Sequence, residues 1–391
     1  MRVETPAKLT ACSRCLGPRV SRRLAKVGLS ALLLAALLAT YMKTMQGWMV
    51  PPSWPASATG ARAYPLGQPD AGPKWLRRLR QQPQCSPTSS SSSPDCVPFL
   101  CTSVEFETSN YTERMLASIH HPVAYTLVIT AGDDVHTRQQ AQRLQRQFPH
   151  VHFVHVDERI GVSGGWNLCM HFLAEVLDVD WGYITNNDVY FPGRSLHNTT
   201  AAFLEARRRE PRLCVGRALF RNIPYKNRYS TLAVTRTLPA AWGTFDENIF
   251  PSYYEDNDVH LRSELLIDSG CRMEDIQNAE RFHHGPEHAD DYVSGVRDTV
   301  DVAGERDAAT RASIKAVMER GIRSSARYLQ KKWGCRAANL WGPCRHHRPF
   351  GRSGMTPRDW VFDAAYRRCL LTGEGAISDT CHFHHALLPR D

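Results

Sequence analysis

The chain has 391 residues, 42% of them apolar, and a formal charge of +9. That length allows two or three domains with a sizeable core. The charge is partly local: residues 1–26 hold Arg2, Lys8, Arg14, Arg19, Arg22, Arg23 and Lys26 against Glu4 alone, leaving about +3 for the rest. So small a balance, with no interleaved aromatic and basic stretch, argues against a nucleic-acid partner. It suits an anionic small substrate.

Val27 to Met42, V-G-L-S-A-L-L-L-A-A-L-L-A-T-Y-M, carries no charge. It reaches spanning length if it continues past Lys43, which can snorkel, to Trp48 at the interface. The basic flank precedes it, so the positive-inside rule places residues 1–26 in the cytosol and the bulk of the chain in a lumen. The rivals are a cleaved signal peptide, for which the leader is long, and an organelle transit peptide. Residues 49–97 include P-T-S-S-S-S-S-P (Pro87 to Pro94) and read as a flexible stem with little apolar surface to bury. The expected organisation is a cytosolic tail 1–26, a signal anchor 27–48, a stem 49–97, a head 98–335 and a Cys-rich extension 336–391. This describes a single-pass type II protein of the Golgi or endoplasmic reticulum membrane, its head lumenal.

Cys12 and Cys15 precede the anchor; Cys85, Cys96, Cys101, Cys169, Cys214, Cys271, Cys335, Cys344, Cys369 and Cys381 follow it. An even number in an oxidising compartment predicts disulfides, with the pairing left open. Zinc held by Cys335, Cys344, His346 and His347 is the alternative for the tail. Asn110-Tyr-Thr and Asn198-Thr-Thr are N-glycosylation sequons.

In the head, 97–104 predicts a strand and 112–120 a helix. A buried strand follows at 125–130, ending in Ala131-Gly132-Asp133-Asp134. A helix at 136–148, with Ala141, Leu144 and Phe148 at helical steps, leads to a strand at 151–156. Gly161-Val-Ser-Gly-Gly-Trp-Asn167 reads as a glycine-rich loop, 168–177 as a helix, and 181–185 as a strand ending in Asn186-Asn187-Asp188. Residues 307–331 form a charged helix. Strands alternating with helices predict an α/β fold: a Rossmann-like, mostly parallel sheet with helices on both faces. Ligands of such sheets bind at the carboxyl ends of the strands, where Asp133, Asp134, the glycine loop and Asp188 fall.

The densest chemistry lies at 245–262, F-D-E-N-I-F-P-S-Y-Y-E-D-N-D-V-H-L-R. Asp246, Glu247, Asn248, Glu255, Asp256, Asn257 and Asp258 are interleaved with Phe245, Ile249, Phe250, Tyr253 and Tyr254. Carboxylates held beside aromatic rings lose hydration, which raises their pKa and suits a general base. An acidic helix start is the competing explanation. Asn186-x-Asp188 offers oxygen ligands to Mg or Mn, or makes an ordinary turn. The glycine loop can cradle phosphate through backbone N–H groups, although it is not G-x-G-x-x-G and lacks the P-loop Lys. His283-His284 can complete a metal site, in a chain where 17 histidines make pairs common.

Taken in order, the strand–Asp, glycine loop with Asn, strand–N-x-D, F-D-E…Y-Y-E-D-x-D…L-R and H-H-G segments resemble the inverting glycosyltransferases of family 2. They are most similar to the rhamnosyltransferase-like branch, which has a GT-A fold. The resemblance covers about 99–285. It implies that Asp133 and Asp134 lie near the nucleotide, with Gly164, Gly165, Asn167, Asn186 and Asn187 also on the donor. It implies Asp188, His283 and His284 as ligands of a divalent cation, Mn or Mg. Asp256 would be the general base, oriented by Glu255, with Trp242, Gly243 and Asp258 at the acceptor. The implied reaction is one in-line displacement that moves a sugar from a nucleotide-sugar donor to a hydroxyl of a glycan, glycoprotein or glycolipid, with inversion.

This chain departs from the family pattern at four places: Arg159 replaces an Asn, Asn-Asn-Asp leaves one carboxylate at 186–188, one residue is added between Phe250 and Glu255, and the Asn110 sequon falls where a short turn after the first strand is expected, which would set a glycan near the nucleotide pocket. A catalytically inactive GT-A module that binds sugar or protein is the alternative. A metal-dependent hydrolase is a third reading, for which the head offers only His152 and His155, without H-E-x-x-H.

Overall fold

Apolar residues on alternate sides of the central strands send side chains to both faces of one sheet. The structure, a computed structural model, describes residues 63–66, 72–81, 83–86, 93–107, 110–218, 229–276, 282–283, 306–336, 344–377 and 380–388. The expected tail and anchor lie outside the described residues, among which no helix is long and apolar enough to cross a membrane.

The strands are β1 (Ala63–Pro65), β2 (Val97–Val104), β3 (Val123–Ala131), β4 (Val151–Val156), β5 (Trp181–Thr185), β6 (Val189–Tyr190), β7 (Leu213–Ala218), β8 (Thr231–Thr235), β9 (Arg272–Ile276) and β10 (Phe282–His283). Eight form one sheet in the order β1-β4-β3-β2-β5-β8-β7-β9, and β6 pairs with β10 apart from it. The run β4-β3-β2-β5 is parallel, as expected. The sheet is nonetheless mixed, with β9 also parallel to β7. β8 runs antiparallel to both β5 and β7, and β1 antiparallel to β4. β7 and β8 are neighbours in sequence and in the sheet, the arrangement that pairs antiparallel.

Both faces carry helices. Phe99, Cys101, Leu127, Ile129 and Val154 point to one face. It is covered by α1 (Gly72–Gln81) and α4 (Gly161–His171), which continues as a π-helical turn, Phe172–Val176. Val97, Leu100, Val128, Phe153 and Tyr183 point to the other. There α2 (Tyr111–Ala117), α3 (Val135–Gln147) and α5 (Ser195–Arg209) bury Met115, Leu144 and Phe203.

Part of the expected stem is folded on the head. β1 extends the sheet edge, and α1 buries Leu76 and Leu79 while Trp75 meets Phe172 edge-on. The Ser/Pro composition of 87–94 masked this, because the apolar residues that dock lie before it.

The remaining helices are α6 (Leu238–Trp242), α7 (Glu255–Leu265), α8 (Ala308–Trp333) and α9 (Ala364–Thr372). A third core joins Val317, Tyr328, Leu329 and Trp333 of α8 to Tyr366 and Leu370 of α9. It also takes in Ile249, Phe250 and Leu261. The cysteine-rich tail therefore packs directly on the acidic segment. All ten cysteines after residue 48 pair as disulfides: Cys85–Cys96, Cys101–Cys169, Cys214–Cys271, Cys335–Cys344 and Cys369–Cys381. The zinc alternative is thereby corrected, since Cys335 and Cys344 are joined to each other.

Candidate functional site

The acidic segment is fixed in place by glycines and by cations distant in sequence. Phe250 and Ile249 are fully buried. Val162 N donates to Pro251 O at 2.8 Å, and the Arg367 guanidinium lies 4.1 Å from the Phe250 ring. A Cβ at Gly321 of α8 would collide with Phe250 O and Pro251, so only glycine lets the segment pass. Tyr253 and Tyr254 then take left-handed backbone, at φ 72° and 79°, directly before α7. Such conformations cost about 1–3 kcal/mol each and persist only where the surroundings impose them. They set Glu255 and Asp256 at the first turn of α7.

Five of the seven acidic and amide residues divide into two groups. Asp246, Asn248 and Asp258 are scaffold. Lys332 Nζ lies 2.7 Å from Asp246 Oδ2 and 2.7 Å from Asp258 Oδ1, with every side chain fully buried. Tyr328 OH donates to Asp246, Trp333 Nε1 donates to Asp258, and Arg262 Nη2 pairs with Asp258 at 2.9 Å. Lys332 and Arg262 hold the Asp258 carboxyl below its usual range against the opposing effect of burial. Asp258, expected at the acceptor, is thus corrected to an ion-pair anchor. Asn248 donates to Asp246, Tyr328 and the Val361 carbonyl.

Glu255 and Asp256 form the second group. Both are partly accessible, and no cation pairs with either among the described residues. Burial pushes both carboxyls upward, and the Asp256 charge pushes Glu255 further. The Asn257 N–H, at 2.8 Å from Asp256 Oδ1, offsets part of that rise. Asp256 is therefore the member that ionises first. Its charge reaches Tyr229, whose phenol accepts from Arg217 Nη1 at 2.9 Å and meets His260 Nδ1 at 3.0 Å.

The β8 register brings the Tyr229 contact of α7 to the strand ends. Thr231 pairs with Thr185, and Asn186 N donates to Ser230 O at 2.8 Å. Tyr229, which meets His260 of α7, thus stands at the carboxyl end of β5, where Asn186, Asn187 and Asp188 lie half-buried. Asn187 Nδ2 donates to Thr112 Oγ1. Asp188 precedes β6, and β10 sets His283 opposite Val189, one residue on. His284 lies outside the described residues. Among the described side chains, no three His, Cys, Asp or Glu converge as ligands.

Asp133 is exposed and pairs with Arg159 at 2.9 Å, which holds its carboxyl below the usual range. Asp134 is corrected: it caps α3, accepting from Thr137, and forms a buried ion pair with Arg306. The glycine loop is corrected too. Gly161 to Asn167 are the first turns of α4, and its glycines pack closely on neighbouring segments. A Cβ at Gly165 would overlap Ser103, and one at Gly164 would crowd Ile160. Asn167 brackets Phe245, accepting from its N–H at 2.7 Å and donating to its carbonyl and to Glu247, each at 2.9 Å. Trp242 is buried with its carbonyl on Arg262, and a Cβ at Gly243 would strike the Arg358 carbonyl. Asn110 and Asn198 are both exposed.

Two glutamates escaped the sequence reading. Glu105 and Glu107 follow β2 at the same edge, both buried, both carboxyls pushed up to about 7 by desolvation. Gly161 N donates to Glu105 Oε2 at 3.0 Å, while Glu105 Oε1 meets no partner among the described residues. Thr112 donates to Glu107. Their only signal was position, one and three residues past a strand end.

No family model matches the chain, and no curated protein does. Solved structures that it resembles include the mannosyltransferase PcManGT from Pyrobaculum calidifontis in complex with GDP-Man and Mn2+. The identity is 12%, over 68% of this chain and 83% of that one, with a TM-score of 0.39. GalNAc-T7 with UDP, GalNAc and Mn2+ matches at 10% identity, 60% of this chain and 50% of that one, with a TM-score of 0.37. S. aureus TarS 1-349 matches at 14% identity, 60% of this chain and 74% of that one, with a TM-score of 0.35.

Proposed function

We propose that the chain is an inverting glycosyltransferase of GT-A fold, moving a sugar from a nucleotide-sugar donor to an acceptor hydroxyl. The observation that carries this reading is the Glu255–Asp256 pair. It is raised by burial, lacks a cationic partner among the described residues, and opens α7, whose His260 meets Tyr229 next to the carboxyl end of β5. The order of motifs that resembles family 2 glycosyltransferases supports it.

Asp256 takes the proton of the acceptor hydroxyl as that oxygen bonds to the anomeric carbon. Glu255 keeps its own proton, so the pair carries one negative charge rather than two. The bond from the anomeric carbon to the nucleoside diphosphate breaks on the opposite face, and the configuration inverts. Asp188, His283 and His284 would hold a divalent cation, Mn or Mg, which when bound neutralises the diphosphate charge. Asp133 meets the nucleoside side of the donor, with Asn186 and Asn187 nearer the diphosphate. The acceptor is a glycan, glycoprotein or glycolipid, reached from a type II anchor in the Golgi or endoplasmic reticulum membrane.

The test is the full chain against a panel of nucleotide sugars, with Mn and with chelator. Melting temperature, nucleoside diphosphate release and the anomeric configuration of the product are read. One donor that stabilises the chain with Mn and gives an inverted product is the expected result. No stabilisation by any donor, with or without Mn, overturns the reading in favour of a module that binds protein or sugar without turnover.

A further inference from the structure

The segment that leads into α9 carries an aromatic side chain that the described cores do not use. Its backbone is tied down on both sides of that residue. Asp359 Oδ2 accepts from Thr356 N at 2.7 Å and from Thr356 Oγ1 at 2.8 Å, which closes a turn. Arg358 Nη1 donates to Ala240 O at 2.9 Å, and the Arg358 carbonyl packs on Gly243. Further on, Asn248 Nδ2 donates to Val361 O at 2.8 Å, and Asp363 N donates to Asn248 Oδ1 at 3.0 Å. Residues 356–363 are thus a strap laid along 240–248.

Trp360 sits on this strap, half-buried. Val361 beside it packs on the third core, whereas the Trp360 ring joins none of the described cores and meets no aromatic ring among the described residues. Its Nε1 donates to Thr244 Oγ1 at 3.3 Å. The Thr244 hydroxyl accepts there, and its own proton has no acceptor among the described residues. Thr244 in turn hangs on α7. Arg262 Nη1 donates to Thr244 O at 2.7 Å and to Trp242 O at 3.0 Å, while Nη2 pairs with Asp258 at 2.9 Å. Glu255, Asp258 and Arg262 fall three and four residues apart, on one face of the helix. A helical side chain leans toward the N-terminus, so the Arg262 guanidinium lies level with Asp258, one turn (~5 Å) from Glu255. Thr244 and the Trp360 ring bonded to it therefore flank the first turns of α7.

A pyranose ring offers a face of C–H groups and a rim of hydroxyls. An indole covers the first with a large, rigid apolar surface, and a hydroxyl at the indole edge binds the second. We propose that Trp360 is the platform for a pyranose ring of the acceptor, which stacks on the indole while the Thr244 hydroxyl donates to one of its oxygens. The inference rests on the sugar-transfer reading and deepens it: the acceptor is a saccharide, and the C-terminal extension helps to select it.

The test uses the full chain and titrates methyl glycosides of the common hexoses, pentoses and N-acetylhexosamines. Oxidative footprinting by mass spectrometry reads Trp360 itself, beside tryptophan fluorescence. The expected result is saturable protection of Trp360 by at least one glycoside. Trp360→Ala, checked by its melting curve, weakens that binding by about tenfold, since the stacking surface is lost. Trp360→Phe keeps part of it, which holds the proposal testable if the alanine variant fails to fold. Thr244→Val, close in volume but without the hydroxyl, weakens it by about two- to tenfold. Melting temperature with nucleotide sugars and Mn is read on the same samples, so the two readings fail separately. Donor binding with no glycoside protecting Trp360 overturns the platform and leaves the transferase reading standing, as does glycoside binding that survives a folded Trp360→Ala variant. Protection by a glycoside in a chain that binds no donor supports the platform and overturns the transferase reading. Protection by a leucine-rich peptide and by no glycoside overturns the platform and identifies a protein-docking aromatic.

Discussion

Asp256 and Asp258 stand two residues apart on one helix and are held in opposite electrostatic states. Asp258 is enclosed by Lys332, Arg262 and Trp333, which keep it ionised. Asp256 has a carboxylate neighbour and no cation among the described residues, and its pKa is raised. Burial acts on both in the same direction, so the cations decide the difference. A carboxylate whose charge is fully matched is an anchor. One that is desolvated and unmatched is poised to take a proton.

Five substitutions probe that contrast and the packing around it, from the largest expected effect to the smallest. Asp256→Asn lowers turnover by about 10²–10⁴-fold, the usual contribution of a general base. Its melting temperature does not fall, because no ion pair is lost. Lys332→Met does the reverse: it leaves buried Asp246 without a cation and Asp258 with Arg262 alone, and costs about 3–5 kcal/mol in urea unfolding. Adding Asp258→Asn to Lys332→Met recovers part of that loss, a non-additivity that a double-mutant cycle measures.

Gly165→Ala costs about 1–3 kcal/mol by overpacking against Ser103. A glycine that cradled phosphate would instead lose donor affinity at unchanged melting temperature. Glu105→Gln gives a smaller, pH-dependent effect. The folded state binds the Glu105 proton more tightly than the unfolded chain does. Wild-type stability therefore falls as pH rises from 4.5 through about 7. The glutamine variant escapes that fall, so it gains on wild type by about 1–3 kcal/mol at pH 8 and by little below pH 4.5. Melting curves across that range check the sign.

The sequence told most where a local rule was enough. Period-two apolar runs placed β4 and β5 at their observed bounds, and Asp307, the N-cap of α8, began a helix where one was expected. The Glu255–Asp256 pair was legible because its neighbours in sequence are also its neighbours in space. Where partners are distant the reading failed. Arg306 lies 172 residues from Asp134, Lys332 86 from Asp246, and Arg367 120 from Glu247. No window of sequence can show that Asp134 and Asp258 are already neutralised. The glycines of 161–165 were misread for the same reason, since Ser103 and Pro251, which require them to lack a side chain, are far along the chain.

The most direct test is nucleoside diphosphate release by wild type and Asp256→Asn, with the accepted donor and Mn, each beside its own melting curve. The account predicts a variant that stays folded, still binds donor and releases diphosphate at least about 10²-fold more slowly. A folded Asp256→Asn variant that turns over at the wild-type rate would contradict the assignment of the base and, with it, the division of α7 into a poised and a paired carboxylate.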